Sequence, residues 1–179
     1  MTRAFVAVAL PDDVLDAVSE ATGALQLRGA RMMRRDQWHL TLQFLGDDAE
    51  VDAVGSALEG FTIPGGFARL GGAGAFPNAR RGRVLWIGLS DGHDVLARLA
   101  MGVATRLAPL GYEPDSRPFQ PHLTIVRCPR PTDLRASVTA LDAYAFGRAW
   151  RVDALTLFES ILRPEGARYV ERATIPLTP

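Results

Sequence analysis

An internal repeat runs through this chain of 179 residues. The tripeptide His-Leu-Thr occurs at His39 and again at His122, an offset of 83 residues. Flanking segments match in the same order at offsets of 80 to 83: residues 3–9 with 83–89, 14–15 with 95–96, 57–59 with 140–142, and Phe67 with Trp150. Single short motifs align by chance, but five matches in one order indicate two copies of one strand–helix–strand–helix–strand unit.

Apolar periodicity locates the elements of this unit. Short apolar runs bounded by turn residues predict strands at 5–10, 38–44, 67–76, 83–89, 150–159 and 168–176. Apolar residues at helical spacing predict helices at 14–25, at 50–58 and around 95–96. Two copies related by a pseudo-two-fold axis predict two lobes facing a central cleft, where ligands tend to bind. Since no linker separates the lobes, we expect one bilobal domain over residues 1–179.

The composition narrows the possible chemistry. All twenty basic residues are arginine, so the chain has no lysine for a P-loop, a Schiff base or a lysyl-nucleotide intermediate. Cys128 is the only cysteine, which excludes an internal disulfide and a cysteine zinc cluster and fits a reducing cytoplasm. The formal net charge of zero lacks the basic excess typical of a nonspecific nucleic-acid binder.

The opening apolar segment, residues 4–10, predicts a strand rather than a signal peptide. It stops at Pro11-Asp12-Asp13, and no small-residue cleavage site follows. No apolar stretch approaches the length of a membrane span. We therefore expect a cytoplasmic protein that does not enter a membrane.

Each His-Leu-Thr motif lies on a predicted strand. Because side chains alternate between the two faces of a strand, His39, Thr41 and Gln43 share one face. In the same way, His122 and Thr124 share a face. The residues expected on the opposite, core-facing side are apolar: Leu40, Leu42, Phe44, Leu123 and Ile125. The pseudo-symmetry would bring the two imidazole–hydroxyl pairs together.

Two imidazoles and two hydroxyls suit in-line displacement at a phosphodiester. One histidine accepts the proton of the attacking oxygen, and the other protonates the leaving oxygen. The hydroxyls can donate to the nonbridging oxygens. Two histidines also occur as metal ligands, but no third ligand stands at a telling spacing, so we expect no metal. The third histidine, His93, is expected to be structural, with Asp91 as the cap of its helix.

At these residues the sequence resembles the two-histidine (2H) phosphoesterases, which carry paired H-x-T-x motifs. The motifs here read His39-Leu40-Thr41-Leu42 and His122-Leu123-Thr124-Ile125. Within that superfamily the chain is similar to the bacterial and archaeal RNA 2′,3′-cyclic phosphodiesterases, historically called 2′-5′ RNA ligases. The similar stretches span nearly the whole chain: residues 3–11, 39–46, 74–77, 83–86, 117–124, 157–160 and 166–169.

The resemblance implies a bilobal α+β fold, with antiparallel sheets lining the cleft and helices outside. It also implies hydrolysis of a terminal RNA 2′,3′-cyclic phosphate to a 2′-phosphate without metal or cofactor. His39 would protonate the departing 3′-oxygen and His122 would activate water, although pseudo-symmetry makes these roles easy to exchange. Joining a cyclic end to a 5′-hydroxyl through a 2′-5′ bond follows from microscopic reversibility. The expected partner is RNA with a 2′,3′-cyclic phosphate end, tRNA fragments among them, and we expect a monomer without an obligate protein partner.

Three residues are candidates for binding the substrate phosphate. Thr41 and Thr124 belong to the motifs themselves, although threonine is also an ordinary strand former. Arg127 fits the H-x-T-x-x-R extension of the family. Strict alternation puts Arg127 on the face opposite His122, so a phosphate role requires a strand end or a β-bulge there. Otherwise Arg127 is a solvated charge at the end of a strand.

Other residues indicate an RNA-binding surface more weakly. Trp38 stands where a polar residue is more usual, and it either stacks on a base or packs against the core. Phe119 and Tyr112 are further candidates for stacking. Four loop arginines either steer RNA or are solvated charges: Arg34, Arg35, Arg80 and Arg81.

Three alternatives differ from hydrolysis of an RNA end. The same mechanism could act on a small cyclic nucleotide or an ADP-ribose cyclic phosphate. A non-catalytic RNA-end-binding module would tolerate loss of either histidine, whereas both are present here. A purely structural interaction protein would leave the duplicated His-Leu-Thr unexplained.

Overall fold

The structure, a computed structural model, describes residues 2–164 and 166–179. The helices are Asp12–Thr22 (α1), Val51–Leu58 (α2), His93–Leu107 (α3) and Arg135–Asp142 (α4). The strands are Ala4–Val8 (β1), Arg31–Met32 (β2), Leu40–Phe44 (β3), Gly66–Phe76 (β4), Gly82–Asp91 (β5), Leu123–Thr132 (β6), Trp150–Val152 (β7), Ala154–Ile161 (β8) and Arg168–Pro176 (β9). The predicted strands and helices are present in the predicted order, except that the strand predicted at 150–159 is divided into β7 and β8. Strand β2 forms within a stretch predicted as loop.

The strands form one curled antiparallel sheet in the order β7-β4-β5-β6-β3-β1-β8-β9. The short strand β2 also pairs with β6. At the centre, β3 meets β6 through a single residue pair, Leu40 with Leu123. This contact joins one half of the sheet, built from β1, β3, β8 and β9, to the other half, built from β4, β5, β6 and β7. The predicted α+β class with antiparallel sheets is confirmed.

The third strand of each predicted repeat, β4 in the first and β8 in the second, lies in the half of the sheet formed by the other repeat. β4 follows β3 along the chain but pairs with β5 of the other half of the sheet. β8 follows β6 but pairs with β1. β7 and β8 are separated only by Asp153, and β7 pairs with the start of β4. Each half of the sheet is thus completed by a strand from the other half of the chain.

The helices cover the core-facing side of the sheet. Helix α3 carries a broad apolar stripe at helical spacing, and its buried residues are Val95, Leu96, Leu99, Ala100, Val103 and Leu107. The central strands contribute fully buried Leu40, Leu123 and Ile125 to this core. No helix of the described residues is long and apolar enough to cross a membrane.

Helix α3 begins without the predicted cap. No side chain caps its N-terminus, and the residue at that position is Gly92, with φ of 90°. A Cβ atom at Gly92 would collide with the carbonyl oxygen of Phe67. The close approach of β4 and the left-handed backbone both require glycine here. The prediction that Asp91 caps this helix is therefore wrong.

Candidate active site

The two His-Leu-Thr motifs lie side by side at the centre of the sheet. His39 immediately precedes β3, and His122 immediately precedes β6. In the antiparallel register of the Leu40–Leu123 pair, His39 stands across from Thr124, and His122 stands across from Thr41. The fold thus places each histidine opposite the threonine of the other motif.

Both imidazoles are held by the same kind of hydrogen bond. Nδ1 of His39 lies 2.7 Å from the carbonyl oxygen of Gln37, and Nδ1 of His122 lies 2.8 Å from that of Gln120. Because a carbonyl oxygen only accepts, each Nδ1 must be the donor. The proton of the neutral ring therefore sits on Nδ1, and Nε2 is left with a free lone pair. Each histidine can accept a proton at Nε2 and, once protonated, return it.

Burial lowers the pKa of both histidines. Desolvation is the main cause at His39 and takes its pKa from 6.5 to about 4, against the opposing effect of the Gln37 carbonyl. The positive charge of Arg127 lowers the pKa of His39 further, and His122 adds a smaller effect. At His122, desolvation again comes first and Arg127 again contributes. The neutral form of both rings is favoured before any anion binds.

Aromatic rings surround both imidazoles. Phe5 stacks on His39 with ring centroids 4.5 Å apart, and Tyr169 meets the same imidazole edge-on at 5.2 Å. Phe76 meets His122 edge-on at 5.0 Å, and Trp86 lies at 6.2 Å. These rings were not predicted as site residues, because they come from strands remote in sequence from the motifs.

The hydroxyls of Thr41 and Thr124 are available to a ligand. Both side chains are half-buried. Within the described residues, neither hydroxyl makes a hydrogen bond. A half-buried hydroxyl without a protein acceptor can donate to a bound oxygen.

A β-bulge places Arg127 on the face of the histidines. In the β5–β6 pairing, Trp86 is opposite Thr124 and Leu85 is opposite Val126, so Ile125 is the extra residue. Beyond this bulge the alternation of faces is inverted. Arg127 is therefore exposed while Val126 and Cys128 are buried. The condition required for a phosphate role of Arg127 is met.

The same bulge occurs in the first motif and corrects two predictions. Ala7 is opposite Thr41 and Val6 is opposite Gln43, so Leu42 is the extra residue. Gln43 consequently turns into the core, where its Nε2 donates to the carbonyl oxygen of Tyr112 at 3.1 Å. Phe44 turns outward and is 46% exposed. The predictions that Gln43 shares the face of His39 and that Phe44 faces the core are both wrong.

The two bulges occur at equivalent positions, directly after the pair that contains the motif threonine. Ala7 and Trp86 both pair with motif threonines, which relates β1 to β5 by 79 residues instead of the predicted 80. A shift of one residue exchanges the faces of a strand. Hence Trp86, not Ile87, occupies the position equivalent to Ala7 in the cleft.

The two sides of the cleft differ at the position after the bulge. Arg127 in the second motif corresponds to Phe44 in the first, at the offset of 83. The guanidinium of Arg3 lies over the Phe44 ring, 4.8 Å from its centroid, and pairs with Asp47 at 3.4 Å. Arg127 forms no ion pair within residues 2–164 and 166–179, so the side of the second motif offers its cation to an anion.

Several of the weaker candidates for RNA binding make contacts within the protein instead. Trp38 is half-buried and packs against the core, which favours packing over base stacking. The hydroxyl of Tyr112 accepts a hydrogen bond from the backbone N–H of Glu50 at 2.9 Å. Arg35 pairs with Asp12 and Asp16, and Arg34 pairs with Asp36. By contrast, Phe119, Arg80 and Arg81 are exposed.

Among residues 2–164 and 166–179, no three His, Cys, Asp or Glu side chains are grouped to hold a metal ion. The remaining histidine, His93, is exposed at the first turn of α3 and belongs to neither motif. The predicted site residues that the structure brings together on one face of the sheet are His39, His122, Thr41, Thr124 and Arg127.

A curled sheet with paired histidine–threonine strands on its open face is the arrangement of a two-histidine phosphoesterase. The chain belongs to the 2′-5′ RNA ligase superfamily, whose family model matches residues 10–161. This is a family of enzymes, so the predictions of the family and of an enzyme are confirmed.

Curated relatives cover nearly the whole chain. A Thermus thermophilus protein named RNA 2′,3′-cyclic phosphodiesterase is 35% identical over 93% of this chain and 86% of its own length. An Archaeoglobus fulgidus protein of the same name is 32% identical over 93% of this chain and 96% of its own length.

Solved structures agree with the fold. The crystal structure of TT0787 of Thermus thermophilus has a TM-score of 0.77 at 30% identity and covers 97% of both chains. Escherichia coli LigT complexed with 3′-AMP has a TM-score of 0.79 at 25% identity and covers 99% of both chains.

Proposed function

We propose that this protein hydrolyses the terminal 2′,3′-cyclic phosphate of RNA to a 2′-phosphomonoester by metal-independent acid–base catalysis. The observation that carries the proposal is the matched pair of Nδ1 hydrogen bonds, which leaves Nε2 of His39 and of His122 free on one face. The names of the relatives support the choice of substrate.

The reaction needs two proton transfers on opposite sides of phosphorus. One histidine takes a proton from water as the water oxygen bonds to phosphorus. The bond from phosphorus to the 3′-oxygen breaks, and the other histidine protonates that oxygen. The products are a 3′-hydroxyl and a 2′-phosphate. A 5′-hydroxyl in the place of water would give a 2′-5′ phosphodiester, which is the proposed ligation.

The remaining polar groups stabilise the transition state. The hydroxyls of Thr41 and Thr124 donate to the nonbridging oxygens, and Arg127 balances the developing negative charge. Both histidines come from one chain, so the site needs no second copy. We propose that the enzyme acts as a monomer, in the cytoplasm, on RNA ends that include tRNA fragments.

The family resemblance and the pKa of His39 disagree on which histidine is the acid and which is the base. The family resemblance implies that His39 is the acid and His122 the base. The pKa of His39, lowered to about 4 by burial, instead favours a neutral His39 that acts as the base in the free protein. A substrate with a bridging 3′-sulfur distinguishes them, because a thiolate leaves without a proton. Such a substrate restores the activity of the variant that lacks the acid and not of the variant that lacks the base.

The direct test uses a short RNA ending in a 2′,3′-cyclic phosphate, in the presence of EDTA. His39→Asn and His122→Asn keep a donor near the position of Nδ1 but lose Nε2, and His93→Asn is the matched control. We expect a 2′-phosphate from wild type and from His93→Asn, and a loss of at least about 10²-fold in the other two.

Other outcomes would contradict parts of the proposal. Turnover that requires added metal would overturn the metal-free mechanism. Turnover of small cyclic phosphates but not of RNA would indicate the alternative substrate class. RNA binding without turnover under any condition would indicate an end-binding module.

A further inference from the structure

A second arginine lies directly beside Arg127. Strand β2 pairs with β6 so that Arg31 is opposite Arg127, and Met32 is opposite Val126. Directly opposed residues of an antiparallel pair project from the same face. Arg31 therefore lies on the histidine side of the sheet. Residues 114–115, at the repeat offset from β2, form no strand, so this arginine is present on one side of the cleft only.

Arg31 and Arg127 bring two positive charges together in the sheet. Like charges directly opposite each other destabilise a sheet. Within residues 2–164 and 166–179, no acidic side chain forms an ion pair with Arg31 or Arg127. The neighbouring Arg35, by contrast, pairs with Asp16 at 2.7 Å. Among the described residues, acidic side chains thus pair with the neighbouring arginines of this segment but not with these two.

Gly166 makes room for the Arg31 side chain. Gly166 is buried with φ of 126°, and a Cβ atom there would overlap the guanidinium of Arg31. The glycine lies between β8 and β9, three residues before Tyr169, whose ring contacts His39. The segment that leads into β9 is therefore packed against the guanidinium of Arg31.

The two arginines differ in their effect on the histidines. The charge of Arg127 affects the pKa of both histidines, whereas the charge of Arg31 affects neither noticeably. An anion bound between the histidines is thus in the range of Arg127. Arg31 can meet a second anion farther along the same ligand.

We propose that Arg31 binds the internucleotide phosphate that precedes the terminal cyclic phosphate. This inference rests on the proposed function, since it assigns a second phosphate of the same RNA strand. It makes Arg31 a specificity-determining residue, because a nucleoside 2′,3′-cyclic phosphate lacks the second phosphate. The enzyme then prefers oligonucleotide ends to mononucleotides.

The test compares adenosine 2′,3′-cyclic phosphate with the dinucleotide ApA ending in a 2′,3′-cyclic phosphate. We expect Arg31→Ala to lower kcat/KM for the dinucleotide about tenfold, mainly through KM, as for one charge-assisted hydrogen bond. Its kcat/KM for the mononucleotide should stay within about twofold of wild type. Arg28→Ala, which removes an exposed arginine from the same segment, is the matched control.

Replacing the charged internucleotide phosphate by a neutral linkage tests whether Arg31 contacts that phosphate. With a methylphosphonate between the two nucleosides, wild type and Arg31→Ala should hydrolyse the dinucleotide equally well. Equal losses of Arg31→Ala on all three substrates, or full retention of the dinucleotide preference, would overturn the proposal.

Failure of the proposed function can be distinguished from failure of the Arg31 proposal. If wild type hydrolyses none of the substrates, affinities for the dinucleotide 2′-phosphate and its methylphosphonate analogue are measured instead. A preference for the charged linkage that Arg31→Ala abolishes supports the subsite without catalysis, and equal affinities for the two linkages overturn it.

Discussion

Leu40 pairs directly with Leu123 across the centre of the sheet. The two residues are separated by the offset of the predicted repeat, 83 positions. A residue that pairs with its own counterpart lies on the axis that relates the two copies. The pairing therefore supports the proposed internal duplication and places the two histidines symmetrically about this axis.

We expect kcat/KM to be largest on the acidic side of neutrality. The pKa of His39 is about 4, and the pKa of His122 is lowered from 6.5. Below the lower pKa the base is protonated, and above the higher pKa the acid is neutral, so the rate falls on both sides. Since kcat/KM reports the free enzyme, a pH profile of initial rates locates both values. A flat profile between about pH 5 and pH 9 would contradict the two-histidine mechanism.

Replacing Arg127 by methionine should change both rate and titration. We expect Arg127→Met to lower kcat/KM about 10²-fold or more, as for other transition-state donors. Because the positive charge of Arg127 lowers the pKa of both histidines, removing it should raise both values and move the optimum to higher pH. Proton NMR of the imidazoles measures the shift. Arg130→Met, on the same strand, should change neither rate nor titration.

The motif threonines should affect the chemical step more than binding. Thr41→Val and Thr124→Val keep the branched shape but remove the hydroxyl that donates to a nonbridging oxygen. We expect each to lower kcat about tenfold or more with a smaller effect on KM. Serine at either position should restore most of the rate. If both valine variants kept the wild-type kcat, the threonines would be ordinary strand residues.

Gly74 should be required for the position of Trp86. A Cβ atom at Gly74 would overlap the indole ring, so Gly74→Ala should lower the free energy of unfolding by about 1–3 kcal/mol. The matched control is Gly55→Ala in α2, where no atom lies within 4 Å. That change should stabilise the protein by about 0.5–1 kcal/mol. Urea unfolding followed by tryptophan fluorescence measures both, and equal stability of the two variants would contradict the prediction.

The elements and the two motifs were predictable from the sequence because they depend on local patterns. Apolar runs indicated the strands, and a spacing of two residues put each threonine on the side of its histidine. The bulges were not predictable, because an extra residue in a strand is defined by its pairing with a neighbour and has no local signal at Leu42 or Ile125. This is why Gln43 and Phe44 were assigned to the wrong faces.

The surroundings of the histidines were equally beyond a local pattern. Phe5 and Tyr169 flank one imidazole from opposite ends of the chain, and no spacing relates them to His39. Arg31 lies in a stretch without apolar periodicity, and only the pairing of β2 with β6 brings it to Arg127. Features of this kind depend on tertiary contacts between remote segments.

The exchange of third strands has a consequence for how this chain can be divided. A fragment ending after β4 would leave β1 without β8 along one edge, and its own β4 without a partner strand. Exposed strand edges of this kind pair with other chains. Two separately expressed halves would therefore be expected to associate or aggregate instead of forming two independent lobes. A break in the chain is best tolerated in an exposed loop while both halves remain together.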